Sequence, residues 1–144
     1  MKQERKIFMK TFLERSATTF GGRDGIIKDM ASKIELNLVK PIEMGGKESL
    51  GTNPEELFAA GYSSCFASSI EYLLMSNQVA YNAISVKATT QLLADPEKGF
   101  SFKLVVEAKI SGVDKETEKA YIEKAYGFCP YSKAIKGNVE VVFI

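Results

Sequence analysis

Apolar positions along the chain change their spacing several times, with no linker and no internal repeat between the changes. From Ile7 to Phe20 the residues suit a strand, with Phe8, Phe12, Ala17 and Phe20 set among polar neighbours. Gly21-Gly22-Arg23-Asp24-Gly25 then interrupts with turn chemistry, three glycines and an Asp-Gly step, so a hairpin is expected. Ile34, Leu36 and Leu38 alternate with Lys33, Glu35 and Asn37, the two-residue period of a half-buried strand. Pro41 to Gly51, containing Gly45-Gly46, reads as a loop.

The segment that follows carries the strongest helix signal. Thr52 and Glu55 have capping-box spacing, and Pro54 suits a first helical turn, where its missing N–H has no partner to lose. Beyond Leu57, small or apolar residues fall on nearly every helical face, with few charges before Glu71, which marks a buried central helix; Asn77 ends it. Two strands, Ile84 to Ala94 and Phe100 to Ile110, are joined by Asp95-Pro96-Glu97-Lys98-Gly99. Asp114 caps a second helix with Tyr121, Ile122 and Ala125 at helical spacing. Gly127 and Pro130 are expected to close it, leaving Cys129 on an exit turn. A last strand covers Val139 to Phe143. The order βββαββαβ defines an α+β class rather than regular βαβ winding, in one domain over residues 1–144.

Charge and composition narrow the function by exclusion. The chain has 144 residues, 19 basic and 18 acidic, for a net charge of +1, which gives no electrostatic footprint for nucleic acid or anionic lipid. Met1 to Lys10 is charged and lacks the apolar segment of a signal peptide, and no stretch approaches the ~20 apolar residues of a bilayer span. A cytoplasmic location without membrane attachment is the expectation. The chain has two cysteines and no histidine. Cys-His and Ser-His-Asp nucleophiles, and almost every catalytic zinc arrangement, are thereby removed. What remains is a thiol activated by another cation, or two inert core residues.

Taken singly, each candidate has a plain explanation. Cys65 lies in an apolar run, and free cysteine behaves as a small hydrophobe. Cys129 precedes a proline on a Cys-Pro-Tyr-Ser segment, Arg23 sits in a polar turn, and Glu55 suits a helix cap. Taken together they form a pattern. The Gly-Gly-Arg-Asp-Gly turn, the stretch Gly51-Thr52-Asn53-Pro54-Glu55-Glu56-Leu57-Phe58-Ala59-Ala60-Gly61-Tyr62-Ser63-Ser64-Cys65-Phe66, and Cys129-Pro130-Tyr131-Ser132-Lys133-Ala134 followed by Gly137-Asn138-Val139 closely resemble the organic hydroperoxide resistance (Ohr) proteins of the OsmC/Ohr family. The resemblance spans nearly the whole chain.

It implies an OsmC-like α+β fold with a long buried central helix on an antiparallel sheet, an intertwined homodimer, and a thiol peroxidase with no metal or organic cofactor. Carried onto this sequence, it makes Cys65 the peroxidatic cysteine, Cys129 the resolving cysteine, and Arg23 and Glu55 the activating pair. It also implies an organic (alkyl or lipid) hydroperoxide as substrate and a dithiol reductant, the dihydrolipoyl arm of a lipoylated protein. Two positions depart from the family pattern: Tyr126 stands where a histidine is usual, and Lys136 where arginine is common. Neither removes a residue the chemistry requires.

Elementary chemistry agrees with these roles. A thiol of pKa about 8.5 is mostly protonated at neutral pH, while the thiolate is the nucleophile. Arg23 is always protonated and offers a planar fork that can hold a sulfur and a peroxide oxygen. Glu55 can orient that fork; Glu56 is the local competitor, and the resemblance selects Glu55. The nine Phe, six Tyr and five Met can supply a pocket for an alkyl peroxide as well as a core. If Glu55 and Cys65 share one continuous helix, they stand roughly 15 Å apart, too far to grip one guanidinium. Either the helix begins after Glu55 or the glutamate comes from a second subunit. Two other classes fit the same residues: a cysteine-pair redox sensor, and a non-catalytic module for a small apolar ligand.

Overall fold

The computed structural model describes residues 9–47 and 50–144. Ile7 and Phe8, at the start of the first strand-compatible stretch, lie outside the described residues, as do Glu48 and Ser49 in the expected loop. The chain divides into two compact units, Met1–Asn53 and Pro54–Ile144.

In the first unit, β1 (Thr18–Phe20), β2 (Ile26–Lys28) and β3 (Leu36–Asn37) form an antiparallel sheet in that order. The expected hairpin is present, with Thr18 opposite Lys28 and Phe20 opposite Ile26. Gly25 is required at its base, because a β-carbon there would collide with the carbonyl of Phe20. The Asp24 carboxylate accepts the N–H of Lys40 at 2.9 Å and ties the turn to the chain beyond β3. The third strand is shorter than its alternation suggests. Asp29 and Lys33 adopt left-handed angles, φ 62° and 60°, so the chain is still turning at Lys33 and Ile34 is left exposed outside the ladder. A single parallel bridge joins Leu38 to Thr52, whose N–H donates to Asn37 at 2.8 Å and whose carbonyl accepts from Val39 at 2.9 Å. Thr52 therefore belongs to this bridge. The expected loop also contains one 3₁₀ turn, Ile42–Met44.

The second unit opens with α1, Pro54–Ser76, unbroken over 23 residues. Pro54 takes the first helical position, as its absent N–H favours, with Thr52 two residues before it. Glu55 and Glu56 place negative charge in the first turn, which favours the helix dipole. At the far end the Asn77 amide donates to the Leu73 carbonyl at 2.8 Å. Gln78 turns left-handed at φ 56°, and Val79 N–H reaches back to Leu74 at 2.9 Å, a Schellman-type close.

The hairpin β4 (Ala83–Asp95) and β5 (Gly99–Ser111) pairs along its full length. The Asp95 carboxylate accepts the N–H groups of Glu97 and Lys98 at 2.8 and 2.9 Å. β6 (Glu140–Phe143) lies against the other edge of β5 and runs parallel to it, with Leu104 opposite Val141. This three-stranded sheet is thus mixed, not antiparallel as expected. Parallel neighbours need a crossover, and two helices supply it: α2 (Lys115–Phe128), capped by Asp114 accepting Thr117 N–H at 2.7 Å, and α3 (Pro130–Ile135). α3 is one element more than the expected order. Gly127 stays inside α2, and Cys129 is a one-residue joint between the helices, not the start of an exit loop. The proline explains both facts, since it holds Cys129 to extended angles and is preset for a new first turn.

Even-numbered residues of β4 and β5 share one face and meet α1 and the crossover helices. Tyr62, Phe66, Ile70 and Leu74 of α1, Leu104, Val106 and Ile110 of β5, and Tyr121, Ala125 and Cys129 make one buried cluster. α1 buries the stripe Tyr62, Phe66, Ser69, Ile70 and Leu74, the i, i+4, i+8 rhythm of a helix face. Its other side, with Ala60, Ser64, Ser68, Tyr72 and Met75, is exposed. The centre of the core is Phe66, 5.9 Å from the Tyr62 ring and 5.6 Å from Phe143. Phe66→Ala is expected to cost about 3–5 kcal/mol, read as a lowered urea midpoint with unchanged slope at fixed protein concentration. Ser68→Ala on the opposite face should stay within about 0.5 kcal/mol.

Candidate active site around two cysteines

The site starts from α1. Cys65 lies three residues after Tyr62 and one before Phe66, so it flanks the buried stripe and is half-buried. Cys129 is fully buried in the core cluster. Their sulfurs share a hydrogen bond of 3.4 Å, and both are free thiols. This contact exists because Cys129 leaves helical angles for one residue, at φ −60° and ψ 124°. Its own N–H still completes α2 by donating to Ala125 at 2.8 Å, and its carbonyl accepts Lys133 N–H at 3.0 Å as the first bond of α3.

A second rung lies beside the sulfurs. The hydroxyls of Tyr62 and Ser132 are hydrogen-bonded at 2.7 Å and both residues are buried. Tyr62 precedes Cys65 by three residues, and Ser132 follows Cys129 by three. The two rungs therefore join α1 to α3 about one turn apart on each helix. Tyr131 closes the neighbouring side: its ring lies against Gly61, where a β-carbon would meet the Tyr131 hydroxyl at 2.8 Å. Tyr126, at the position where the family pattern has histidine, packs edge-on to Phe143 with ring centres 5.4 Å apart.

The electrostatics of the two thiols differ. Burial pushes the Cys65 thiol up, the neighbouring Cys129 adds to the rise, and the Tyr131 N–H opposes it; the net direction is upward. Burial also acts upward on Cys129, but the N–H and hydroxyl of Ser132, the Cys65 thiol and the Tyr131 N–H outweigh it and bring Cys129 down. These donors act on the sulfur without forming a full side-chain cap bond. Tyr62 is pushed up to about 12, first by burial and then by the negative charge that Cys129, Tyr126 and Cys65 can carry, against the lowering effect of the Ser132 bond.

Of the four residues expected from the sequence, the structure brings Cys65 and Cys129 together. Glu55 is on the same unbroken helix as Cys65, ten residues earlier, hence roughly 15 Å away along its axis. The first alternative, a helix starting after Glu55, is excluded. Arg23 stands in the turn between β1 and β2, in the first unit. Tyr62 and Ser132 carry no role in the sequence reading. The signal that could have found them is their equal offset of three residues from the cysteines, on the sides that face each other when the helices meet. Among the described residues no group of three or more His, Cys, Asp or Glu is placed to hold a metal ion, and no helix is long and apolar enough to cross a membrane.

The α+β fold, with its long central helix, is that of solved structures of organic hydroperoxide resistance proteins. Residues 45–143 match the family model described as OsmC-like protein, and the chain belongs to the OsmC/Ohr family. Within it, the chain is similar to proteins named for organic hydroperoxide resistance. The organic hydroperoxide resistance protein-like 2 of Staphylococcus epidermidis is 38% identical over 122 residues, covering 84% of this chain and 86% of the relative. The crystal structure of an organic hydroperoxide resistance protein from Legionella pneumophila matches with a TM-score of 0.87 and 37% identity, over 93% of this chain and 97% of that one. OhrB of Bacillus subtilis matches with a TM-score of 0.81 and 30% identity, over 92% and 98%.

The raised Tyr62 gives a pH prediction independent of function. A phenol whose folded pKa lies above its unfolded value of about 10 adds stability that is complete below pH 10 and lost as pH rises toward about 12. Urea stability should therefore fall over that window, and near-ultraviolet phenolate absorbance should show a late-titrating tyrosine that Tyr62→Phe removes.

Proposed function

We propose that the chain reduces organic (alkyl or lipid) hydroperoxides to alcohols through a two-thiol cycle, with Cys65 attacking and Cys129 resolving. The observation that carries this reading is the 3.4 Å contact between a half-buried and a fully buried thiol, in a family whose similar members are named for organic hydroperoxide resistance. Exposure supports this order, since half-buried Cys65 is the more accessible of the two to an incoming peroxide. The Cys65 thiolate attacks one peroxide oxygen; the O–O bond breaks, the alkoxide takes a proton and leaves as alcohol, and sulfur keeps the other oxygen as a sulfenic acid. Cys129 then displaces that oxygen as water and forms the Cys65–Cys129 disulfide. A dithiol, of the lipoyl type that family membership suggests, supplies two electrons by exchange.

The effects acting on Cys65 within Pro54–Ile144 favour the thiol, so the thiolate calls for a cation. We assign that role to Arg23, with Glu55 orienting its guanidinium. Because α1 holds Glu55 and Cys65 of one copy roughly 15 Å apart, we assign Glu55 at each site to the second copy of a homodimer. The working protein on this reading is a single OsmC/Ohr-like domain over residues 1–144, paired in an intertwined dimer in the cytoplasm, with no metal or organic cofactor.

Turnover of cumene hydroperoxide with dihydrolipoamide is the deciding assay. Cys65→Ser should abolish it and Arg23→Ala should lower the rate of Cys65 oxidation by about 100-fold or more, the loss shrinking as pH rises and the thiol ionises unaided. A single round of oxidation without turnover would identify a redox sensor instead, and no reaction a binding module. The shared site has its own test. After subunit exchange, an equal mixture of inactive Cys65→Ser and Glu55→Gln proteins should regain about a quarter of the intact sites, because each mixed dimer restores one of two; no recovery would place Glu55 and Cys65 in the same subunit.

A further inference from the structure

We infer that Tyr62 and Ser132 are positioning residues for the resolving step: their buried hydrogen bond fastens α3 to α1 beside the sulfurs, turns the Ser132 proton to Cys129, and keeps that sulfur within reach of oxidised Cys65. This rests on the reading of Cys65 as the attacking thiol and Cys129 as the resolving thiol, and gives that pair its internal control.

Geometry carries the inference. Tyr62 and Ser132 are 0% and 2% exposed, and their oxygens are 2.7 Å apart, so each hydroxyl is satisfied by the other away from water. A phenol that stays protonated throughout the neutral range is a lasting donor. When it donates to the Ser132 oxygen, the single serine proton is left for another acceptor, on this inference the Cys129 sulfur three residues earlier. The same bond fastens α3 to α1 one turn from the sulfur contact. The sulfurs thus sit 3.4 Å apart because an adjacent pair of atoms is already locked, the kind of pre-ordering that turns an encounter into an intramolecular step.

The electron and proton count fits this placement. In the first step charge leaves Cys65, which becomes a neutral sulfenic acid, and the alkoxide takes a proton as it departs as alcohol. If that proton is the one Cys129 held, the negative charge has moved from one sulfur to the other. Ser132, steadied by Tyr62, is there to receive it. The Cys129 thiolate then attacks the Cys65 sulfur; an S–S bond forms, the S–O bond breaks, and hydroxide leaves. No additional oxidant or reductant is involved.

The test follows the lifetime of the sulfenic acid, captured with a dimedone-type probe after one equivalent of cumene hydroperoxide. Tyr62→Phe and Ser132→Ala should each lengthen that lifetime about tenfold at neutral pH, for a shift of about one pH unit in the profile of disulfide formation; the difference should close at alkaline pH, and Ser132→Thr should restore the native rate. A purely structural role would lower stability without moving the pH midpoint. Tyr62→Phe keeps the ring and decides the matter if Ser132→Ala fails to fold. Folded variants with native lifetime and native midpoint overturn the inference. A second readout needs no peroxide: in Cys65→Ser, where Cys129 is the sole thiol, its ultraviolet thiolate absorbance should titrate about one unit higher once Ser132→Ala is added. A wild-type protein that consumes no peroxide would defeat the proposed function, while this titration would still decide the role of Ser132.

Discussion

The arrangement around the two sulfurs hangs on one residue being denied helical angles. Cys129 is extended between two helices, completing the hydrogen bonds of the first and beginning those of the second. Were α2 and α3 one straight helix, Cys129 and Ser132 would follow its axis past α1, and neither the sulfur contact nor the hydroxyl contact would form. Pro130 imposes the break by steric means and limits its cost, because proline at a first helical position gives up no hydrogen bond. A chain break that is locally inexpensive thus sets the spacing of the two sulfurs.

That break also makes the two cysteines unequal. Burial acts upward on both thiols, and the backbone around Cys129 reverses the result on one side only. Two identical groups 3.4 Å apart are thereby given opposite tendencies, Cys65 upward and Cys129 downward. Acid–base sites commonly assign distinct roles to like groups by separating their pKa values in this way. In a chain without histidine, peptide N–H groups and hydroxyls do this work near the core, and a guanidinium is left as the candidate for the half-buried thiol.

Much of this could be read in the sequence. The hairpin glycines, the Pro54 helix start, the Asp114 cap and the β4–β5 strands joined by the Asp95–Gly99 turn each follow from a local rule that the packing respects. The misreadings arose where two local rules compete or where a distant partner decides. Cys-Pro signals an end to helix, which is correct, and Pro at a first position signals a new beginning, which is equally correct; the sequence does not rank them. The parallel direction of β6 follows from a crossover that comes to light only once α3 is recognised. On α1, alanine and serine surround the stripe, and Ser64, Ser68 and Ser69 return their hydroxyls to backbone carbonyls one turn back. Such serines lose much of their polarity, so hydropathy alone cannot tell the buried face from the exposed one. The roles proposed for Cys65, Cys129, Arg23 and Glu55 rest on a long motif resemblance; the Tyr62–Ser132 contact depends on two helices distant in sequence meeting.

The parallel strand β6 has a consequence for how the protein is assembled during synthesis. β4 and β5 are neighbours in the chain and can zip as soon as both have left the ribosome, whereas β6 reaches β5 only after the whole α2–α3 crossover has been made. In that interval β5 offers an open strand edge lined by Val105 and its neighbours, the kind of surface on which unfinished chains join one another. β6 is therefore the seal on that edge of β5. The cysteines share this timing, since Cys129 is delivered by the same crossover: the pair cannot close, correctly or wrongly, until α2 has been made.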